Sequence, residues 1–253
     1  MDLRLDGKCA LVTGGTRGIG RAMVEALADE GCRVSFCART AGAVDVVETE
    51  LRQRGHTVFG TPVDVSDDTA VADWTEASAG HMGGIDIVVA NAGAVANKPE
   101  LAAWRAGFDT DIMGTVVTVE HAIPFLRQSD AGSVVVMSSV AALEIYAGER
   151  PYTAIKAALT AYASGLAQRL APDGIRANVI SPGAILFPGS VWERAQTDQP
   201  QVYAEILGRT AMGRLGTASE VAQAVAFIAS PAASYVTGTN FVIDGGLTKR
   251  IHY

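Results

Sequence analysis

Cysteine is scarce in this chain: Cys9, Cys32 and Cys37 are the three in 253 residues. Their spacings fit neither a disulfide framework nor a metal site, so no metal is expected and the thiols read as small core residues in a reducing compartment. No apolar run reaches the roughly 18 residues needed to span a bilayer. The opening Met1-Asp2-Leu3-Arg4-Leu5-Asp6 lacks the apolar core of a signal peptide, so a cytoplasmic protein is expected. Basic residues are in deficit, 20 Lys and Arg against 27 Asp and Glu for a net charge of −7. That balance argues against nucleic acid and anionic membrane as partners. Internal repeats, low-complexity tracts and linkers are missing too, and one domain is the simple reading.

What the chain does have is alternation. Apolar strand-like runs fall near 8–12, 33–37, 57–61, 85–90, 133–138, 175–180 and 240–243. Helix-length amphipathic segments lie between them, near 18–30, 42–54, 67–79, 100–126, 152–171 and 218–229. Such alternation predicts βαβ units, and hence an α/β fold: a doubly wound, Rossmann-type, seven-stranded parallel sheet with helices on both faces. Continuous apolar strands and a positive mean hydropathy suit a sheet covered on both sides. Ligands of such sheets bind at the carboxyl ends of the strands. Gly14, Arg39, Asp64, Asn91, Ser139 and Pro182 all fall just after predicted strand ends.

The first strand runs into Thr13-Gly14-Gly15-Thr16-Arg17-Gly18-Ile19-Gly20, and an amphipathic helix follows. Strand, glycine turn and helix start together make an anion site, where bare N–H groups and the positive end of the helix dipole meet a pyrophosphate. The spacing is Gly-x-x-x-Gly-x-Gly, not the Gly-x-Gly-x-x-Gly of the standard dinucleotide fingerprint. Further on, Tyr152 and Lys156 stand four apart, on one helical face. Ser139, at the end of the fifth strand, precedes Tyr152 by thirteen residues. A free phenol keeps its proton at neutral pH, whereas an ammonium group within roughly 4–6 Å favours the phenolate. By itself a Tyr-x-x-x-Lys spacing is commonplace; beside the glycine turn it points to acid–base chemistry next to a bound dinucleotide.

Thr13 to Gly20, Asn91-Ala92-Gly93, Ser139, Tyr152, Lys156 and Pro182-Gly183, in this order and spacing, resemble the short-chain dehydrogenase/reductase family in its compact form. The resemblance extends over essentially the whole chain. It implies reversible hydride transfer between a secondary alcohol or ketone and a nicotinamide. Tyr152 is the implied general acid–base and Ser139 the hydrogen-bond donor to the reacting oxygen. Lys156 is implied to favour the phenolate and bind the nicotinamide ribose. Gly14, Thr16, Arg17, Gly18, Ile19 and Gly20 are implied to hold the pyrophosphate and Asp64-Val65 the adenine. Asn91-Ala92-Gly93 would pack on the adenosine half, and Pro182, Gly183 and Ile185 would cover the nicotinamide.

Four departures from the family pattern bear on function. The second strand ends in Arg39 where an acid would select NAD, so NADP(H) is favoured over NAD(H), with Arg17 as a second positive charge. A solvated Arg39 and NAD(H) use remain open. Ala90 stands where an Asn is usual, and Phe187 where a Thr is usual. Asp111 takes the place of the family's fourth catalytic residue, an Asn. It is either a tolerated substitution, keeping a backbone carbonyl for a relay water, or an altered relay in which the carboxylate pairs with Lys156.

The expected pocket walls are residues 94–98, 143–150 and a lid insertion at about 184–214, which carries Leu186, Phe187, Val191, Trp192, Tyr203, Ile206 and Leu207. Those residues suggest a largely apolar, cyclic or 3-oxoacyl-like ketone; ordinary lid packing or a subunit interface would use the same residues. Glu144, Glu149, Arg150 and Glu193 are candidate polar handles. The segment from Tyr235 to Leu247 resembles the part of the family that packs subunits together, so a homotetramer, or a homodimer, is expected. Residues 248–253 either reach a neighbouring subunit or fray. The alternative function is a catalytically impaired, cofactor-binding regulatory protein.

Overall fold

A computed structural model describes residues 1–94, 98–146 and 149–250. In chain order the first half runs β1 (Cys9–Thr13), α1 (Gly18–Asp29), β2 (Arg33–Ala38), α2 (Ala41–Gln53), β3 (Val58–Pro62), α3 (Asp68–Met82), β4 (Ile87–Ala90), α4 (Leu101–Gly107) and α5 (Gly114–Leu126). The second half runs β5 (Ser133–Met137), α6 (Pro151–Leu170), β6 (Arg176–Pro182), β7 (Ile185–Leu186), α7 (Val191–Asp198), α8 (Pro200–Arg209), β8 (Gly216–Thr217), α9 (Ala218–Ala229) and β9 (Asn240–Ile243). Seven strands form a parallel sheet in the order β3-β2-β1-β4-β5-β6-β9, and β7 pairs with β8 in a small parallel ribbon.

Side chains alternate across the strands and so feed two cores. Ala10 and Val12 of β1 pack with Met23, Leu27, Val47 and Val225, beneath α1, α2 and α9. Cys9 and Leu11 point the other way, to Trp74, Val119, Leu159 and Leu166 of α3, α5 and α6. The three cysteines are buried free thiols, and burial pushes those of Cys32 and Cys37 up to about 12. The sheet order reverses between β1 and β4, the crevice where doubly wound folds bind ligands.

The helix expected over 100–126 is not continuous. Between α4 and α5 the backbone widens into a π turn over Phe108–Met113, a feature that often marks functional positions. The expected lid residues, 184–214, fold into β7, α7 and α8, and β7 pairs with β8 just beyond them. Ser190 starts α7 by accepting the N–H of Glu193 at 3.0 Å, the kind of cap that fixes a helix start.

One buried cation has no acidic partner among the described residues. Arg176, at the start of β6, donates to the carbonyls of Ile228, Ala229, Ser230 and Val236 at 2.7–3.3 Å. Three of these belong to the C-terminal end of α9, where carbonyls lack helical partners and the helix dipole favours positive charge. Asn178 extends the same link: its Nδ2 donates to the Val236 carbonyl at 2.8 Å and its Oδ1 accepts the Thr239 N–H at 3.1 Å.

Candidate active site

The floor of the site is the turn between β1 and α1. Its bend is fixed by the N–H groups of Gly14 and Gly15, which both donate to the Cys37 carbonyl at 2.8 and 3.0 Å. Gly14 has φ +71°, a conformation glycine adopts without strain. A Cβ on Gly20 would lie 2.0 Å from the Gly14 carbonyl oxygen, so only glycine lets helix and turn close this tightly. No side chain caps the start of α1, whose Arg17 is extended; its first N–H groups thus remain available to an anion. Across the crevice, the N–H groups of Asn91 and Ala92 donate to Thr13 Oγ1 at 2.9 and 3.0 Å. Asn91 Nδ2 donates to the Thr13 carbonyl at 2.9 Å. These bonds tie the ends of β1 and β4 together.

At the adenosine end, Arg39 follows β2 and is exposed, with no acid beside it in sequence. Asp64 follows β3. The backbone N–H and hydroxyl of Ser66, bonded to its carboxylate, hold it below the usual carboxylate range, and the Arg39 charge adds to the effect.

The opposite wall is built from the end of β5, the π turn and α6. Ser138 donates to the Lys156 carbonyl at 2.9 Å and shares a hydrogen bond with Thr160 at the same distance, fixing α6 to the strand end. Ser139 accepts the Ala141 N–H at 3.1 Å, capping the short 3-10 turn Val140–Ala142; its hydroxyl proton stays available for donation. Lys156 Nζ sits 5.6 Å from the centre of the Tyr152 ring. The same Nζ meets Asp111 Oδ2 at 3.1 Å and donates to the Met137 carbonyl at 3.1 Å. Asp111 Oδ1 accepts the Ala94 N–H at 2.7 Å. Lys156 is 5% and Asp111 2% exposed, so the pair is sunk below the cavity surface. A Cβ on Gly93 would come 2.9 Å from Asp111 Oδ2, so the bare glycine makes room for the carboxylate.

These parts face a single cavity of about 550 Å³. Gly14, Thr16, Arg17, Ile19, Gly20, Arg39, Asp64, Val65, Asn91, Ala92, Gly93, Pro182, Gly183 and Ile185 line it, together with Ser139, Tyr152, Lys156 and Asp111. Gly18 does not: with φ +54°, it backs onto the Phe187 ring, and a Cβ there would lie 2.5 Å from that ring. Its missing side chain serves the lid contact rather than the cavity.

Among the apolar lid residues, Phe187, Val191 and Trp192 reach the cavity. Leu186, Trp192, Tyr203 and Ile206 pack into a small core with Val140, Leu215 and Leu247, as ordinary lid packing would have it. Glu144 accepts the Lys249 N–H at 3.0 Å and faces Arg209 at 3.6 Å, while Glu193 accepts the Gly189 N–H at 2.6 Å. Both carboxylates are therefore already engaged by the protein. Of the expected walls, residues 95–97 and 147–148 lie outside the described residues, as do residues 251–253 of the tail. Thr110 and Ser138, which the sequence did not single out, also line the cavity, as does Arg194 within the expected 184–214 wall. The Ser138-Ser139 pair offers two hydroxyls and no local sign of which faces the ligand.

Comparison with known proteins agrees with this geometry. The family described as enoyl-(acyl carrier protein) reductase matches residues 14–248. Isoepoxydon dehydrogenase of Aspergillus clavatus is 40% identical over 247 residues, covering 96% of this chain and 95% of the relative. The structure of L-sorbose reductase from Gluconobacter frateurii with NADPH and L-sorbose superposes with a TM-score of 0.90 at 28% identity, covering 99% of this chain and 100% of that one. A 7α-hydroxysteroid dehydrogenase complexed with NADH and 7-oxo glycochenodeoxycholic acid gives a TM-score of 0.91 at 29% identity, covering 99% and 98%.

Proposed function

The chain belongs to the short-chain dehydrogenase/reductase family, and from that premise we propose that it is a ketone reductase that prefers NADP(H) to NAD(H). Its coarse activity, NAD(P)-dependent interconversion of an alcohol and a ketone, is that of the family's oxidoreductases. The observation that carries the reading is the convergence of Ser139, Tyr152 and Lys156 on one wall of a cavity floored by the glycine turn.

The residues present fit a nicotinamide dinucleotide. The turn cannot hold a Cβ at Gly20, the helix start is uncapped, and Asp64, Val65, Pro182, Gly183 and Ile185 line the two ends of the same cavity. When bound, the nicotinamide exchanges a hydride with the carbonyl carbon of the substrate. Ser139 holds the substrate oxygen through its hydroxyl proton. Tyr152 gives its proton to that oxygen in reduction and takes it back in oxidation. Lys156, which lines the cavity beside Tyr152, stabilises the phenolate left behind. Phe187, Val191 and Trp192 make the substrate end apolar, which suits a cyclic, apolar or 3-oxoacyl-like ketone held beneath a lid of residues 184–214. The assembly proposed is a homotetramer, or a homodimer; exposed Tyr235 and Phe241 near edge strand β9 offer apolar surface for it. The location proposed is the cytoplasm; among the described residues no helix is long and apolar enough to cross a membrane.

Paired titrations with NADPH and NADH test the cofactor preference. Arg39 can pair with a 2′-phosphate through its planar fork, so the wild type is expected to bind NADPH at least about tenfold more tightly, roughly one good charge-assisted contact. Arg39→Asp is expected to invert the order. Tenfold tighter NADH binding by the wild type sinks the preference. The Asp111–Lys156 pair favours one other reading, a cofactor-binding protein without turnover; reduction of any ketone with NADPH removes it.

A further inference from the structure

Asp111 and Lys156 are, among the described residues, the ion pair with both side chains buried. Each is held from a second side, Asp111 by the Ala94 N–H and Lys156 by the Met137 carbonyl, so neither swings away from the other. Both line the cavity beside Tyr152. An Asn at this position would leave the wall with the full positive charge of Lys156. With Asp the formal charges cancel. The nicotinamide ring, for its part, is a cation when oxidised and neutral when reduced.

We propose that Asp111 is a positioning residue that sets the balance between the two redox forms of the cofactor, favouring the oxidised one. The inference rests on the cavity being a nicotinamide-dinucleotide site. Lys156 would repel a pyridinium and leave a dihydropyridine indifferent; the Asp111 carboxylate offsets that repulsion at its source. The offset is felt because the pair is buried, where charges are screened less than at the surface. Among the described residues, the Tyr152 ring and the Met137 carbonyl also face the pair, beside the Ala94 N–H. Arg17, Arg39 and Asp64 line other parts of the cavity and act equally in wild type and variant. An enzyme built this way holds its oxidised cofactor more tightly, relative to the reduced form, than a neutral residue at position 111 would allow.

The test is a set of binding titrations of the full chain with NADP⁺ and NADPH, without any ketone, at fixed pH and ionic strength. Asp111→Asn keeps an oxygen for the Ala94 N–H, removes the charge and turns an amide NH2 towards Lys156 Nζ, and Asp111→Ser, which removes the charge without that donor, is run beside it. The ratio Kd(oxidised)/Kd(reduced) is expected to rise about tenfold in these two variants, and to stay within about twofold of wild type in Asp111→Glu. If thermal melting shows that Asp111→Asn does not fold, Asp111→Ser gives the same comparison. An unchanged ratio in the uncharged variants overturns the proposal while leaving the cofactor reading intact. Equal shifts in the Asn and Glu variants trace the effect to geometry and overturn it too. A wild type that binds neither nucleotide overturns the functional reading itself.

Discussion

Tyr152→Phe is expected to lower kcat by about 10²- to 10⁴-fold, the usual share of a positioned acid–base group, while NADPH binding stays within about twofold. The substitution removes one hydroxyl and nothing else from the wall. The phenyl ring keeps its place on α6, Lys156 keeps Asp111 and Met137, and the glycine turn is untouched. Ser139 is a poor replacement, because an aliphatic hydroxyl holds its proton far more tightly than a phenol does; among the described residues its hydroxyl oxygen accepts the Ala141 N–H. The proton then has to come from water, which lacks the fixed position that makes the transfer efficient. Steady-state rates with any accepted ketone, set beside a fluorescence titration of NADPH, read both halves of the expectation. A kcat within tenfold of wild type would reject Tyr152 as the proton donor.

Lys156→Met is expected to cost stability as well as activity, about 3–5 kcal/mol, because breaking a buried ion pair strands its partner. At about 2–4 °C per kcal/mol for a chain of this size, the melting temperature should fall by roughly 6–20 °C. Asp111 would keep only the Ala94 N–H, at a position that is 2% exposed. Double replacement by Asp111→Asn and Lys156→Met removes both charges and should restore most of the loss. Thermal melts of the three proteins decide the matter. A single variant melting within 2 °C of wild type, or a double variant no better than the single, would show that the pair contributes little. Activity alone cannot make this distinction, since Lys156 is also proposed to act on Tyr152.

The sheet was legible because parallel strands buried on both faces leave apolar runs bounded by glycine and polar turns. All seven long strands lie within two residues of where those runs place them. The break between α4 and α5 was not legible. The π turn brings Asp111 to Lys156, 45 positions away, and such a tertiary bond leaves no mark in local periodicity. The contact between Gly18 and Phe187 was not legible for a related reason. The sequence places Gly18 with Gly14 and Gly20 on the ligand, and a Cβ at Gly18 would meet a ring from the lid. Trp192 and Tyr203 could be pocket or packing, and only the positions of Val140, Leu215 and Leu247 divide them. Arg176 looks like any surface arginine until its four carbonyl partners are seen.

Those four carbonyls lie 52 to 60 residues downstream of the guanidinium they satisfy. A nascent chain that has reached β6 but not Val236 would have to bury a cation and the Asn178 amide without acceptors, which is unfavourable. Closing so long a loop is slower than pairing neighbouring strands. β6 is therefore expected to wait for the segment that carries β9, so that the two strands enter the sheet together. Pulse-labelled amide exchange during refolding should show protection of β6 rising in step with β9; early protection of β6 alone would break the link.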